Sequence, residues 1–122
     1  MQQAATIEYR QSWSFRIAGH EMDHDEGVYK LEIEVSYFYT ADILEGEYPD
    51  WRLIAADVKD FLASYPDRTH YWEVVNKRLA ERIIGKYTIL SSLTLSISIP
   101  PLASNSSQRI TTVTVERRRA AP

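Results

Sequence analysis

Glu73 is the residue whose type and position best suit selective binding chemistry. It lies near the start of a strongly helical segment, residues 71–83. A carboxylate at the mouth of a fold can accept two parallel hydrogen bonds from a flat heterocycle that contains an amide. The competing interpretation is a solvated first-turn residue, favoured by the helix dipole and paired with Lys77 at i,i+4. The local sequence by itself favours this second interpretation.

A second group of chemically capable residues lies in the polar segment 19–27. His20 and His24 are four residues apart, and acidic side chains surround them: Glu21, Asp23, Asp25 and Glu26. This histidine spacing can chelate zinc on a helix, but here it falls in a predicted loop. We therefore interpret the segment as a solvated turn and predict neither a metal site nor a cofactor.

Composition excludes several classes of function. The chain has 122 residues, no cysteine and a formal net charge of -3. Cysteine nucleophiles, disulfides and cysteine-based zinc sites are therefore excluded. The charge predicts no nucleic-acid partner, and we interpret the basic run 117–119 as a solvated end. No segment approaches the roughly 20 apolar residues that cross a bilayer, so we expect one cytoplasmic domain over residues 1–122, with an ordered core at about 7–117.

Four segments alternate between apolar and polar residues, which is typical of half-buried strands. These are residues 7–17, 29–39, 93–99 and 112–116. The first two are joined by the polar loop 19–27 and form a predicted hairpin. Pro100 and Pro101 end the third strand, because proline cannot donate to a strand ladder.

Two helices are predicted between the second and third strands. In the first, residues 51–65, apolar side chains recur at helical spacing, and the Asp50 carboxylate can cap its start. The second covers residues 70–87, and its apolar stripe consists of Trp72, Val75, Leu79 and Ile83.

The element order ββααββ predicts an α+β domain with a four-stranded antiparallel sheet and both helices on one face. The other face carries polar residues: Lys30, Glu32, Glu34, Thr94, Ser96, Ser98, Thr112, Thr114 and Glu116. Such a sheet has two exposed edges, which proteins cover or pair. Closing several sheets into an oligomeric barrel would remove these edges and leave a polar tunnel.

The motifs resemble those of the tunnelling-fold (T-fold) superfamily, and within it those of dihydroneopterin aldolase. The similar motifs are Asp50-Trp51 with Val58-Lys59, Tyr71-Trp72-Glu73, and the segments 79–83, 96–100 and 112–117. Their order and spacing span almost the whole chain. The resemblance implies a protein of the folate-pathway type that binds a pterin or purine-like molecule and assembles as a homotetramer or homo-octamer.

The resemblance also implies roles for individual residues. Glu73 would anchor the pterin, with Trp72 and Asp50 in the same ligand site. Trp51 would take the place of a tyrosine that stacks on the pterin from a neighbouring subunit. The alternative for Trp51 is a core or interface aromatic residue.

The chain departs from the family at Ile99. The family's lyase reaction needs a lysine at this place, and isoleucine can neither donate nor accept a proton. Glu21 and Asp23 are then the remaining candidates for an acid or base. Two other hypotheses stay open: a non-catalytic scaffold or binding protein for another heterocycle, and an unrelated ferredoxin-like binding domain.

Overall fold

The computed structural model describes residue 7 and residues 9–25, 27–102 and 106–118. Within these ranges the chain forms strands β1 (Ser12–His24) and β2 (Gly27–Tyr39), helices α1 (Trp51–Ala63) and α2 (Trp72–Lys86), and strands β3 (Leu90–Ile99) and β4 (Arg109–Glu116). A short 3₁₀ turn, Glu45–Glu47, precedes α1. The predicted order ββααββ is confirmed.

The four strands form one antiparallel sheet in the order β1-β2-β3-β4. Strands β1 and β4 are its edges. Both helices pack on one face, as predicted, and the polar face is on the other side. Hydroxyl pairs join β3 to β4 on that polar face, with Thr94 and Thr114 at 3.0 Å and Ser96 and Thr112 at 2.8 Å.

Alternate residues of the central strands form the core against the two helices. The fully buried strand residues include Leu31, Ile33, Val35, Leu93, Leu95 and Ile97. They pack against the apolar stripes of the helices, including Ile54, Val58, Val75, Leu79 and Ile83. Burying each such side chain contributes about 1.5–3 kcal/mol, so this interface holds the helices on the sheet.

The first hairpin differs from its prediction. Strand β1 begins at Ser12 rather than at residue 7, and the side chains of Ile7 and Tyr9 are 80% and 70% exposed. The predicted loop 19–27 is wrong over most of its length, because β1 continues to His24 and pairs with β2 up to Gly27. A tight turn follows at Asp25, and residue 26 lies outside the described residues.

A β-bulge explains why the alternation of apolar and polar residues did not predict the second half of β1. The register with β2 shifts between Ile17 and His20, and Gly19 has a φ of 67°, which favours glycine. The extra residue reverses the facing of the strand. Odd-numbered Ile17 is buried before the bulge, whereas Met22 and His24 are buried after it.

Both helices lie within a few residues of their predicted ends. Asp50 caps α1, since its carboxylate accepts from the Arg52 backbone amide at 3.0 Å. Helix α2 begins at Trp72 and carries Glu73 in its first turn. Buried Asn76 fixes α2 to the sheet by donating to backbone carbonyls of β3 and β4, at 2.9 Å and 3.3 Å.

Arg117, the first residue of the run predicted to be a solvated end, is exposed but also hydrogen-bonded to the rest of the fold. Its guanidinium donates to the carbonyls of Leu90 at 2.8 Å, Tyr87 at 3.4 Å and Ile84. These carbonyls lie at the end of α2 and the start of β3, where the helix leaves acceptors unpaired. Arg117 therefore stabilises this junction, while residue 119 lies outside the described residues.

No helix in the described ranges combines the length and hydrophobicity needed to span a bilayer.

Candidate functional site

A cavity of about 410 Å³ lies between the start of α2, the last residues of β1 and β3, and the first residues of β4. We call it the Glu73 cavity. Its walls include the aromatic residues Tyr29, Tyr71 and Trp72, the ionisable residues His24, Asp25, Glu73 and Arg109, and the side chain of Ile99. The cavity thus combines flat apolar walls with a few charged groups, which is the usual composition of a small-molecule site.

Glu73 is exposed in the first turn of α2. The predicted pair with Lys77 does not form: among the described residues, no cation lies within 4.0 Å of the Glu73 carboxylate. A negatively charged side chain in the first turn also interacts favourably with the α2 dipole. Glu73 therefore presents a free anionic acceptor to the cavity.

Three aromatic rings form one wall. His24 stacks on Trp72 with ring centroids 4.0 Å apart and planes 20° apart. Tyr29 meets the Trp72 indole edge-to-face at 5.4 Å. Because these contacts fix Trp72 and bury it, the residue that precedes Glu73 is held rigidly and so is the start of the helix.

His24 has a defined hydrogen-bond role. Its Nε2 lies 2.6 Å from the backbone carbonyl of His70. A carbonyl only accepts, so Nε2 carries the proton and donates it. His24, which lines the Glu73 cavity, is therefore fixed to the loop before α2.

A hydrogen-bonded network supports the loop that contains His70. The Tyr65 hydroxyl lies 2.6 Å from His70 Nδ1, and His70 Nε2 lies 3.0 Å from the Asp67 carboxylate. The side-chain and backbone hydrogen bonds that Thr69 donates lower the pKa of Asp67. This network fixes the carbonyl to which His24 donates.

Arg109 is the cation of the Glu73 cavity. It is the first residue of β4 and pairs directly with Ile99 on β3. Directly paired residues share one face of a sheet, so Arg109 lies beside Ile99 on the face that carries the helices.

The other predicted site residues lie elsewhere in the chain. Trp51 and Asp50 line a second cavity of about 520 Å³, together with Trp13, Tyr39 and Tyr48. We call it the aromatic cavity. Asp50 also forms an ion pair with Arg52 at 2.9 Å, and the hydrogen bonds from Arg52 lower the pKa of Asp50. Within one chain, these residues and Glu73 therefore belong to separate cavities.

Glu21 and Asp23 line a third cavity, of about 380 Å³, beside Tyr65 and Arg68. The bulge in β1 explains their position, since residues 21 and 23 face away from the side of β1 that buries Met22 and His24. Trp72 thus lines the same cavity as Glu73, whereas Glu21 and Asp23 do not.

The two histidines of segment 19–27 have different surroundings. Burial, and then the charge of Lys59, lowers the pKa of His20. His24 instead packs on Trp72. Among the residues that the structure describes, no three histidine, aspartate or glutamate side chains gather as metal ligands do.

Solved structures with the same arrangement of elements are found by structural comparison. A protein described as a candidate dihydroneopterin aldolase from Vibrio cholerae superposes with a TM-score of 0.64 at 13% identity, covering 85% of this chain and 97% of that one. A dihydroneopterin aldolase from Burkholderia thailendensis, solved bound to guanine, gives 0.64 at 16% identity, covering 88% and 93%. The chain has the tunnelling fold.

A third tunnelling-fold neighbour is the archaeosine synthase QueF-Like in its apo form, with a TM-score of 0.55 at 13% identity, covering 86% of this chain and 91% of that one. No family model and no curated protein matches the sequence. The resemblance to dihydroneopterin-aldolase-like proteins is therefore confirmed at the level of the fold.

Sequence reasoning missed His24 and Arg109 as parts of the Glu73 cavity. Extending the alternation of β4 backwards from Val115 and Val113 places Arg109 on the helix-facing side. For His24, the signal in the sequence is Gly19. An isolated glycine inside an alternating segment indicates a bulge, and a bulge changes the side of the sheet on which the later residues lie.

Proposed function

We propose that this protein binds a pterin or purine-like heterocycle in the Glu73 cavity. The observation that carries the proposal is the free Glu73 carboxylate on the first turn of α2, at the edge of a cavity with aromatic walls. An ionised carboxylate in this setting selects a ligand with two adjacent donors.

The chemistry of recognition follows from the two carboxylate oxygens. A pterin or guanine ring presents a ring N–H beside an exocyclic amine, and both can donate to Glu73 in parallel. Hydrogen bonds to a charged group contribute about 1.5–3 kcal/mol each. The aromatic wall around Trp72 adds apolar contact for the flat ring.

The comparison with the Burkholderia protein supports this choice of ligand. That protein shares the fold and was solved with guanine, a ring that carries the donor pair described above. At 16% identity the two proteins are alike in fold, and Glu73 with its cavity is the observation within this chain that supports the same class of ligand.

We further propose that the complete site forms between subunits. Trp51 is 39% exposed and lines the aromatic cavity rather than the Glu73 cavity. The two free edges of the sheet offer a way for chains to pair. A neighbouring chain would then bring Trp51 and Asp50 to Glu73, in a homotetramer or homo-octamer.

An aldolase reaction is not part of this proposal. Ile99 is buried and apolar at the position where the resemblance implies a lysine. Glu21 and Asp23 line a different cavity from Glu73. The proposed activity is therefore binding.

Isothermal titration with 7,8-dihydroneopterin, neopterin and guanine tests the proposal. Glu73→Gln keeps the shape of the side chain but replaces one acceptor by a donor. We expect it to weaken binding by about 10- to 100-fold, the loss expected for a charge-assisted pair. The matched control is Glu81→Gln, an exposed position on the same helix.

The possible results separate the hypotheses. Binding that is lost in Glu73→Gln and kept in Glu81→Gln supports the proposal. The absence of binding by all three compounds would contradict it and favour the scaffold hypothesis. An assay for glycolaldehyde release from 7,8-dihydroneopterin then tests for a lyase, and we expect none above the Glu73→Gln level.

A further inference from the structure

We infer that Arg109 forms an anion subsite in the Glu73 cavity, so that the preferred ligand is a planar heterocycle that carries a carboxylate. This inference rests on the proposed function and narrows its ligand class. Glu73 would bind the donor edge of the ring, and Arg109 would bind an acidic substituent on another edge.

The first observation concerns two nitrogen atoms of the Arg109 guanidinium. Its Nε and Nη2 atoms are buried, and neither has a hydrogen-bond acceptor among the described residues. A guanidinium carries a positive charge, and leaving its buried donors without acceptors destabilises the protein. A ligand oxyanion in the adjoining cavity would supply an acceptor after a small rotation of the side chain.

The second observation is that Arg109 and Glu73 do not neutralise each other. Both line the same cavity, yet no nitrogen of Arg109 lies within 4.0 Å of a Glu73 oxygen. Opposite charges that share a cavity without pairing are suited to a ligand with a donor edge and an anionic group. The ligand would then pair with both.

The balance of charge favours a carboxylate over a phosphate. Arg109 is the arginine of this cavity, and the acidic residues Asp25 and Glu73 line it as well. A phosphate group carries nearly two negative charges near neutral pH and would be repelled by these acids. A carboxylate carries one charge, and its planar shape matches the guanidinium in a two-bond pair.

The position of Arg109 places this subsite beside Ile99. The two residues are direct partners across β3 and β4 and share the helix-facing side of the sheet. The apolar Ile99 side chain cannot bind an anion. The positive charge at this end of the cavity comes instead from Arg109 on the neighbouring strand β4. The carboxylate of the ligand would lie near Ile99 while its ring lies against the aromatic wall.

Titration with pterin and with pterin-6-carboxylate tests the inference, because the two compounds differ only in the carboxylate. The unmodified protein should bind pterin-6-carboxylate at least about 10-fold more tightly. Arg109→Gln should reduce that ratio to about one. Arg118→Gln, an exposed position just beyond β4, is the matched control and should keep the ratio.

The outcomes distinguish this inference from the proposed function. Tight binding of pterin with no gain from the carboxylate would overturn the inference and leave the proposed function standing. Failure of both compounds to bind would overturn the inference, and failure of guanine and 7,8-dihydroneopterin as well would overturn the proposed function. If Arg109→Gln does not fold, the affinities of the unmodified protein for the two compounds still test the inference. Arg109→Lys is a second variant, which keeps the charge but loses the two-bond geometry.

Discussion

His24 shows how one side chain links the cavity to the rest of the fold. Its ring stacks on Trp72 and its Nε2 donates to the His70 carbonyl, so it connects β1 to α2 and to the loop before it. His20, on the same strand, has a buried Nε2 with no partner among the described residues. Two histidines four positions apart on one strand therefore have different hydrogen-bond surroundings.

We expect His24→Phe to lower the free energy of unfolding by about 1–2 kcal/mol, because it keeps a stacked ring but leaves the His70 carbonyl unpaired. Urea unfolding followed by circular dichroism measures the change. His20→Phe is the matched control and should cost less, since the His20 Nε2 has no partner among the described residues. Equal losses in the two variants would show that the hydrogen bond of His24 contributes nothing measurable.

At the scale of elements, a polar cluster links the two helices. The Tyr87 hydroxyl donates to the Asp57 carboxylate, and Lys86 lies 2.9 Å from the same carboxylate. Burial opposes ionisation of Asp57, but the hydrogen bonds from Tyr87 and Lys86 outweigh it and lower the pKa of Asp57. The cluster therefore stabilises the contact between α1 and the end of α2 when Asp57 is ionised.

Tyr87→Phe should lower the free energy of unfolding by about 1 kcal/mol at neutral pH, since it removes one hydrogen bond to a carboxylate. The folded-state pKa of Asp57 is lowered, so its contribution is present above the unfolded pKa of about 3.9 and is lost as pH falls through the folded value. The difference between the variant and the unmodified protein should therefore shrink below about pH 4.

Urea unfolding at a series of pH values measures this difference. Tyr9→Phe is the matched control, because Tyr9 is 70% exposed and should show no effect at any pH. A difference for Tyr87→Phe that stays constant down to about pH 2 would exclude Asp57 as the partner that matters.

At the scale of the whole molecule, the open edges and the aromatic cavity suit self-association. Strand β1 is an edge, and Trp13, Tyr48 and Trp51 are 45%, 42% and 39% exposed around that cavity. Exposed aromatic groups of this kind often mark contact surfaces. Light scattering of the purified protein should therefore give a mass well above that of one chain.

Mixing two variants tests whether the site forms between chains. Glu73→Gln and Trp51→Ala should each bind 7,8-dihydroneopterin weakly. Co-expressed in equal amounts, they should regain about a quarter of the sites, because random assembly pairs an intact Glu73 with an intact Trp51 in that fraction. The control is co-expression of Glu73→Gln with the double variant Glu73→Gln/Trp51→Ala, which should regain no sites. Equal binding in both mixtures would contradict a shared site.

The sequence by itself determined the order of elements, the facing of β2 and β3, the apolar stripes of both helices and the cap at Asp50. These features depend on local periodicity and capping chemistry, which the chain carries within a few residues. The resemblance likewise identified the fold, because its motifs recur in the same order along the chain.

Only the tertiary structure decided which side chains share a cavity. The bulge at Gly19 reverses the facing of β1, so His24 lies against Trp72 while Glu21 and Asp23 line another cavity. Pairing of β4 with β3 places Arg109 beside a residue of the preceding strand, across the intervening loop. The physical reason is that a cavity joins residues distant along the chain, and one inserted residue in a strand reverses every side chain beyond it.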